Sequence, residues 1–201
     1  MLSNERHRQI ISYLEQKNTV TVQELTDILY ASSSTIRRDL SELEAQGFVK
    51  RIHGGAVLTA GSTFDTPASL RRTQQLAEKQ RIAELASQFL KPSSTYFFDS
   101  SSTASILATR LSDYPDVKIA TNGVAILSNM QSTDKLSILS TGGYLRSPWD
   151  ELTGNLAIKC IENMNADVFF FSCAGFTVEQ GAMELSDDNV AVKRVFYRNS
   201  K

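Results

Sequence analysis

The stretch SSSTIRRDLSELEAQGFVKRIHGGA, Ser32–Ala56, gathers Arg37, Arg38, Lys50, Arg51 and His53 around one short apolar series. Ile36, Leu40 and Leu43 recur at spacings of four and three, which stacks them on one side of a helix. Ser32 is placed to cap that helix and Gly47 to end it. With Ile36 turned inward, Ser33, Ser34, Thr35, Arg37 and Arg38 are left facing outward at the helix start. Free amides and the macrodipole favour phosphate at such an end. An extended run, FVKRI, then the HGG turn and AVL read as a hairpin, the two glycines marking its turn.

Two helices precede it. Ile10, Ile11 and Leu14 line one face of a helix from about Asn4 to Gln16. Thr21 and Glu24 form a capping box opening a second helix, whose apolar face is Val22, Leu25, Ile28 and Leu29. Three helices and a basic hairpin make a winged helix-turn-helix over residues 1–58. Its third helix is predicted to enter the major groove, and Lys50, Arg51 and His53 on the wing to touch phosphate or the adjacent groove.

Bulk charge says nothing of this. The 201 residues carry a formal net charge of −1, and residues 1–60 hold seven basic and seven acidic side chains. The DNA reading rests on where charges sit. Cys160 and Cys173 lie among apolar neighbours and read as two reduced core cysteines. No metal site, cofactor or catalytic residue is predicted. The polar N-terminus and the lack of any apolar run near the roughly 20 residues that span a bilayer predict a cytoplasmic protein.

Residues 59–75, rich in Thr, Ser, Gln and small residues, have a linker's composition. Beyond them helical patterns alternate with TYFFD, VKIAT, LSILST and DVFFFSC, predicting an α/β domain over residues 76–201 with an open, mostly parallel sheet. Ligands bind such sheets outside the strand C-terminal ends. Asp99 ends one run there, and Ser100, Ser101, Ser102 and Thr103 offer hydroxyls and amides to an anion. Asn122, the Gly142–Gly143 pair with Arg146 beyond it, and Ala174–Gly175 end the others. Lys193 and Arg194 lie on a final helix.

TVQELTDIL, SSSTIRRDLSELEAQG and KRIHGGA closely resemble the signature of the DeoR family of bacterial transcriptional regulators. The resemblance implies operator DNA as partner and repression as the usual outcome. Over residues 76–201 the chain resembles the family's effector domain, similar in fold to ribose-5-phosphate isomerase. That implies binding of a phosphorylated sugar by Asp99–Thr103, Asn122, Gly142–Gly143, Arg146 and Lys193. The family's loop usually runs D-x-G-T-T; here Ser101, Ser102 and Thr103 stand in place of Gly-Thr-Thr. Family members also continue past the Lys193 helix, so an effector domain incomplete at its C-terminus is expected. A homo-oligomer, dimer or tetramer, is expected on repeated half-sites.

Two other functions compete with this reading. A sugar-phosphate isomerase would need a carboxylate base after FFFSCAGF, where Cys173, Ala174 and Gly175 carry none and Glu179 and Glu184 fall in a loop of unassigned position. An architectural DNA binder would use its second domain for oligomerisation alone.

Overall fold

The computed structural model of the chain describes residues 3–45, 47–58 and 68–201, in two compact units, 1–70 and 71–201. The first unit runs α1 (Ser3–Lys17), β1 (Thr19–Thr21), α2 (Val22–Leu29), α3 (Ser33–Ala45), β2 (Val49–Ile52) and β3 (Gly55–Leu58). The strands form one antiparallel sheet in the order β1-β3-β2. Ile10, Leu14, Leu25, Ile36, Leu40 and Leu43 are at most 1% exposed and share one core with Val20, Val49 and Ala56. The i, i+3, i+4 spacing of each helix thus converges on one apolar centre.

The ends of these helices are chemically determined. Thr21 and Glu24 form the capping box in both directions. Tyr30 ends α2 in the left-handed region at φ +50°. At the end of α3, the Phe48 amide donates to the Leu43 carbonyl and the Gly47 amide to that of Glu44, both at 2.9 Å, with Gly47 at φ +80°. This is the Schellman arrangement that a glycine favours.

The hairpin turn differs from its sequence reading. Its two residues are His53 and Gly54, and Gly55 already belongs to β3, paired with Ile52 and Thr21. The glycines serve different ends. Gly54 needs φ +79°, whereas a Cβ on Gly55 would lie 2.2 Å from the Val20 carbonyl oxygen of β1.

Of the stretch read as linker, residues 59–67 lie outside the described residues. Ala68–Thr73 form a helix, α4, because Lys79 reaches back to satisfy carbonyls at its end, those of Arg71 and Gln74.

The second unit continues with α5 (Leu76–Ala86), β4 (Thr95–Phe98), α6 (Ser102–Ala108), β5 (Val117–Thr121), α7 (Val124–Asn129) and β6 (Leu136–Ser140). Then come β7 (Tyr144–Arg146), β8 (Glu151–Thr153), α8 (Asn155–Glu162), β9 (Val168–Phe170), β10 (Gly175–Thr177), β11 (Gly181–Met183) and α9 (Asp187–Arg198). Four strands form a parallel sheet in the order β6-β5-β4-β9; β7–β8 and β10–β11 are antiparallel hairpins. The run DVFFFSC is therefore a strand only to Phe170.

Period-two alternation divides the aromatic runs between two cores. Tyr96, Phe98 and Phe170 pack with α5, α6 and α7 on one face of the sheet. Phe97 and Phe169 meet Phe196 and the apolar sides of α8 and α9 on the other. Helices on both faces explain why β4 reads as an unbroken apolar run.

The wing offers a direct check. Gly54→Ala should cost about 1–2 kcal/mol of unfolding free energy, the ordinary penalty of a left-handed alanine. Gly55→Ala should cost more, since β1 and β3 must separate. Denaturant unfolding of both variants measures the order, and equal losses would contradict it.

Candidate functional site

Two surfaces carry the predicted residues, one in each unit. On α3 the Ser32 hydroxyl accepts the Thr35 amide at 3.2 Å and bonds the hydroxyls of Ser34 and Thr35 at 2.9 and 2.8 Å. Ser33, Ser34, Arg37 and Arg38 are exposed and Thr35 is half-buried. Arg38 lies 3.4 Å from Glu42 one turn along with 78% of its side chain exposed, a weak pair that a phosphate or base can displace.

On the wing Lys50, Arg51 and His53 are all exposed. Arg51 is turned onto α3: its Nη1 donates to Ser41 Oγ at 2.6 Å and its amide to Glu44 Oε1 at 2.7 Å. Lys50 and His53 are then the wing's outward polar side chains. Sequence reading missed Tyr30, 96% exposed in the turn entering α3. Its signal was an aromatic residue at a left-handed turn position between two helices.

It also missed what orients α3. Asp39 is 1% exposed, between two outward arginines and the buried Leu40. Arg6 on α1 holds it in a fork, Nε to Oδ2 at 2.5 Å and Nη2 to Oδ1 at 2.9 Å. His7 Nε2 adds a contact at 3.2 Å and lies 3.6 Å from Glu42. Burial alone would raise the Asp39 pKa, but the hydrogen bonds and charges of Arg6 and His7 outweigh it and hold the carboxyl below its ordinary value. The exposed face of α3 is thereby keyed to α1.

In the second unit the chain winds from β4 through β5 to β6, then returns to place β9 on the other side of β4. Ligand crevices open at such reversals, outside the strand ends. Asp99 sits there, at the end of β4, and is 0% exposed. Its Oδ1 accepts the Ser101 amide at 3.0 Å and its Oδ2 the Ser172 amide, just past β9, at 3.1 Å. Lys193 of α9 lies 3.0 Å from Oδ2, donates to the Ser172 carbonyl at 2.7 Å and also binds Glu184. Burial pushes the Lys193 pKa down, but Asp99 and Glu184 more than reverse it, so the ammonium is held above its usual value. Glu184, unassigned from sequence, therefore belongs to this site.

A second network adjoins it. Ser100 Oγ donates to Glu151 Oε2 at 3.1 Å, and Glu151 is 1% exposed. Arg146 donates to Glu151 Oε1 at 2.9 Å and to Ser186 Oγ, the cap of α9, while its guanidinium lies 4.3 Å from the centre of the Trp149 ring. Asn122 is 0% exposed. Its Nδ2 donates to the Leu152 carbonyl at 3.1 Å, and its buried Oδ1 has no hydrogen-bond partner among the described residues. Ser101 caps α6 by accepting the Ala104 amide, and Ser102 and Thr103 stand half-buried in its first turn.

Gly142 and Gly143 have internal reasons for being glycine. Their φ values are +64° and +110°, and a Cβ on Gly143 would meet the Thr153 carbonyl oxygen at 2.3 Å. A cleft of about 430 Å³ opens beside Lys193, with Phe171, Met183, Arg194 and Tyr197 in its walls. Cys173 lines the same cleft; Cys160 lies on α8, and both are half-buried free thiols.

Models of two protein families match the chain: the DeoR-like helix-turn-helix domain over residues 6–61 and the DeoR C terminal sensor domain over residues 74–201. Across all of its length the chain is 36% identical to the HTH-type transcriptional regulator GolR of Listeria innocua, covering 79% of that protein. It is 30% identical, again over its whole length and 79% of the relative, to the Glycerol-3-phosphate regulon repressor of Escherichia coli. A putative aga operon transcriptional repressor of Escherichia coli O157:H7 is 29% identical over 96% of the chain and 72% of that protein. Among the described residues no helix is long and apolar enough to cross a membrane.

Asp39 should make the unfolding free energy depend on pH. A carboxyl whose pKa is depressed by folding stabilises above its unfolded value, near 3.9, and loses that contribution as pH falls through the folded value. Asp39→Asn should cost about 3 kcal/mol at pH 7, since Arg6 loses its charged partner. The gap to the wild type should narrow below about pH 4. Denaturant titrations at both pH values check it, and a gap independent of pH would refute the assignment.

Proposed function

This chain belongs to the DeoR family of transcriptional regulators, and from that premise we propose how its two surfaces divide the work. The amino-terminal half of α3 lies in the major groove of operator DNA. Arg37 and Arg38 reach base edges or phosphate, Ser33, Ser34 and Thr35 face the backbone, and Lys50, Arg51 and His53 steady the wing. The observation that carries this reading is the exposed Ser33–Arg38 face at a capped helix start, opposite the buried Ile36, Asp39 and Leu40.

The effector is a phosphorylated sugar bound at the strand ends, by Asp99–Thr103, Asn122, Gly142–Gly143, Arg146 and Lys193. Sugar hydroxyls suit Asp99 and the open Oδ1 of Asn122. The phosphate exchanges with carboxylates for Lys193 and Arg146. The printed names of relatives, a glycerol-3-phosphate regulon repressor and an aga operon repressor among them, favour the same chemical class. The protein acts as a repressor of sugar-metabolism genes, as a homo-oligomer in the cytoplasm. It is not an isomerase, because Asp99 and Glu184 are both engaged by Lys193 and neither is placed as a free base.

A duplex selected from a random pool by the wild-type chain provides the operator for testing. Arg38→Ala should weaken its binding about 10-fold or more, given roughly 1–3 kcal/mol for a bidentate base contact. Lys50→Ala should lower the slope of log affinity against log salt by about one. Unchanged affinity for Arg38→Ala in a gel shift would remove the recognition-helix assignment. In a thermal-shift panel at least one sugar phosphate should raise the melting temperature of the wild type, since a ligand of the folded state alone stabilises it. Arg146→Ala should abolish that rise.

A further inference from the structure

The covalent path from the DNA-binding unit enters the sensor through α4, and two arginines of α4 bond one turn. Arg72 Nη1 donates to Asp150 Oδ2 at 2.6 Å, and Arg71 Nη2 donates to the Trp149 carbonyl at 3.2 Å. Lys79 fixes the same C-terminal end of α4 through the carbonyls of Arg71 and Gln74. The turn lies between β7 and β8. On its far side it belongs to the effector network: Arg146 stacks on Trp149 and bonds Glu151, which in turn bonds Ser100. The Asp150 carbonyl also accepts the Val124 amide at 2.9 Å, next to Asn122 and Gly123. Asp150 itself sits at φ +51°, an uncommon conformation for a residue other than glycine.

We propose that the Trp149–Asp150 turn couples the effector site to the DNA-binding unit, with Arg72 as the positioning residue that holds α4 to it. This rests on reading the chain as an effector-controlled DNA binder. A ligand that draws Arg146 from Glu151 or Ser186 also takes the guanidinium off the Trp149 face, and the turn that carries Asp150 loses a support. Arg72 and Arg71 then lose the geometry that anchors α4. Coupling between sites is reciprocal, so operator binding must also be felt at Trp149. The Arg72–Asp150 pair is 39% and 30% exposed on its two side chains, too accessible to be a major source of stability. Its geometry therefore suits a positional role, and its removal should spare the fold.

Trp149 is the single tryptophan of the chain, so its emission reports on the turn alone. The wild-type chain is titrated with the duplex it selects from a random pool. Its emission should shift on saturation. Arg72→Ala and Asp150→Asn should melt at the wild-type temperature and bind the duplex within about fivefold, the most an exposed ion pair contributes. Both should lose the emission shift, while Arg72→Lys keeps it; asparagine tolerates the left-handed backbone, so Asp150→Asn removes the charge alone. A full shift in Arg72→Ala, or tight binding by the wild type with no shift, overturns the proposal. Failure to select any duplex overturns the DNA-binding reading itself, and the coupling with it.

Discussion

Three carboxylates that water hardly reaches organise this chain: Asp39, Asp99 and Glu151, each at most 1% exposed. A buried carboxylate is costly unless charge and hydrogen bonds meet it. Each here is met by a cation from another element: Arg6 of α1 for Asp39, Lys193 of α9 for Asp99 and Arg146 of β7 for Glu151. The helices and hairpins that carry those cations are thereby held in place by a cost that any other arrangement would incur. Apolar packing brings the layers together without saying how far one helix slides along another. The forked Arg6–Asp39 contact does say so, because two parallel hydrogen bonds accept little displacement.

The same economy of charge shapes the sensor site. Its two cations arrive already bound to carboxylates, and Lys193 serves two of them. The network links α9, β7 and β8 through side-chain charge, so none of its members is independent of the others. The location follows from topology: β4 is the strand from which the sheet grows in both directions, and Asp99 is the residue just past its end.

Much of this was legible from residues close together in the chain. The capping box at Thr21 and Glu24, the Ile36, Leu40, Leu43 series, Gly47 and the apolar strand runs are local patterns, and the folded chain uses them as local chemistry dictates. Asp39 looked like one more polar residue on a polar face, because its partner lies 33 positions away. Glu151 and Ser100 are 51 apart and Asp99 and Ser172 are 73 apart, so nothing in either neighbourhood announces the contact. Composition misled at Ala68–Thr73, where Lys79 carries the information that a helix ends there. Gly54 and Gly55 showed the opposite limit: the residues were noticed, but only the packing of β3 on β1 assigns them separate duties.

The strand order β1-β3-β2 puts the wing's returning strand in the centre of its sheet, bonded outward to β2 and inward to β1. Leu58 of that strand donates to the carbonyl of Asn18, which itself caps α1 by donating to Leu14 and holds φ +62°. The pose of the basic hairpin is thus inherited from the corner where the first helix stops. A β-branched residue at position 18, disfavoured at that left-handed φ, would tilt the hairpin without altering any of its basic side chains.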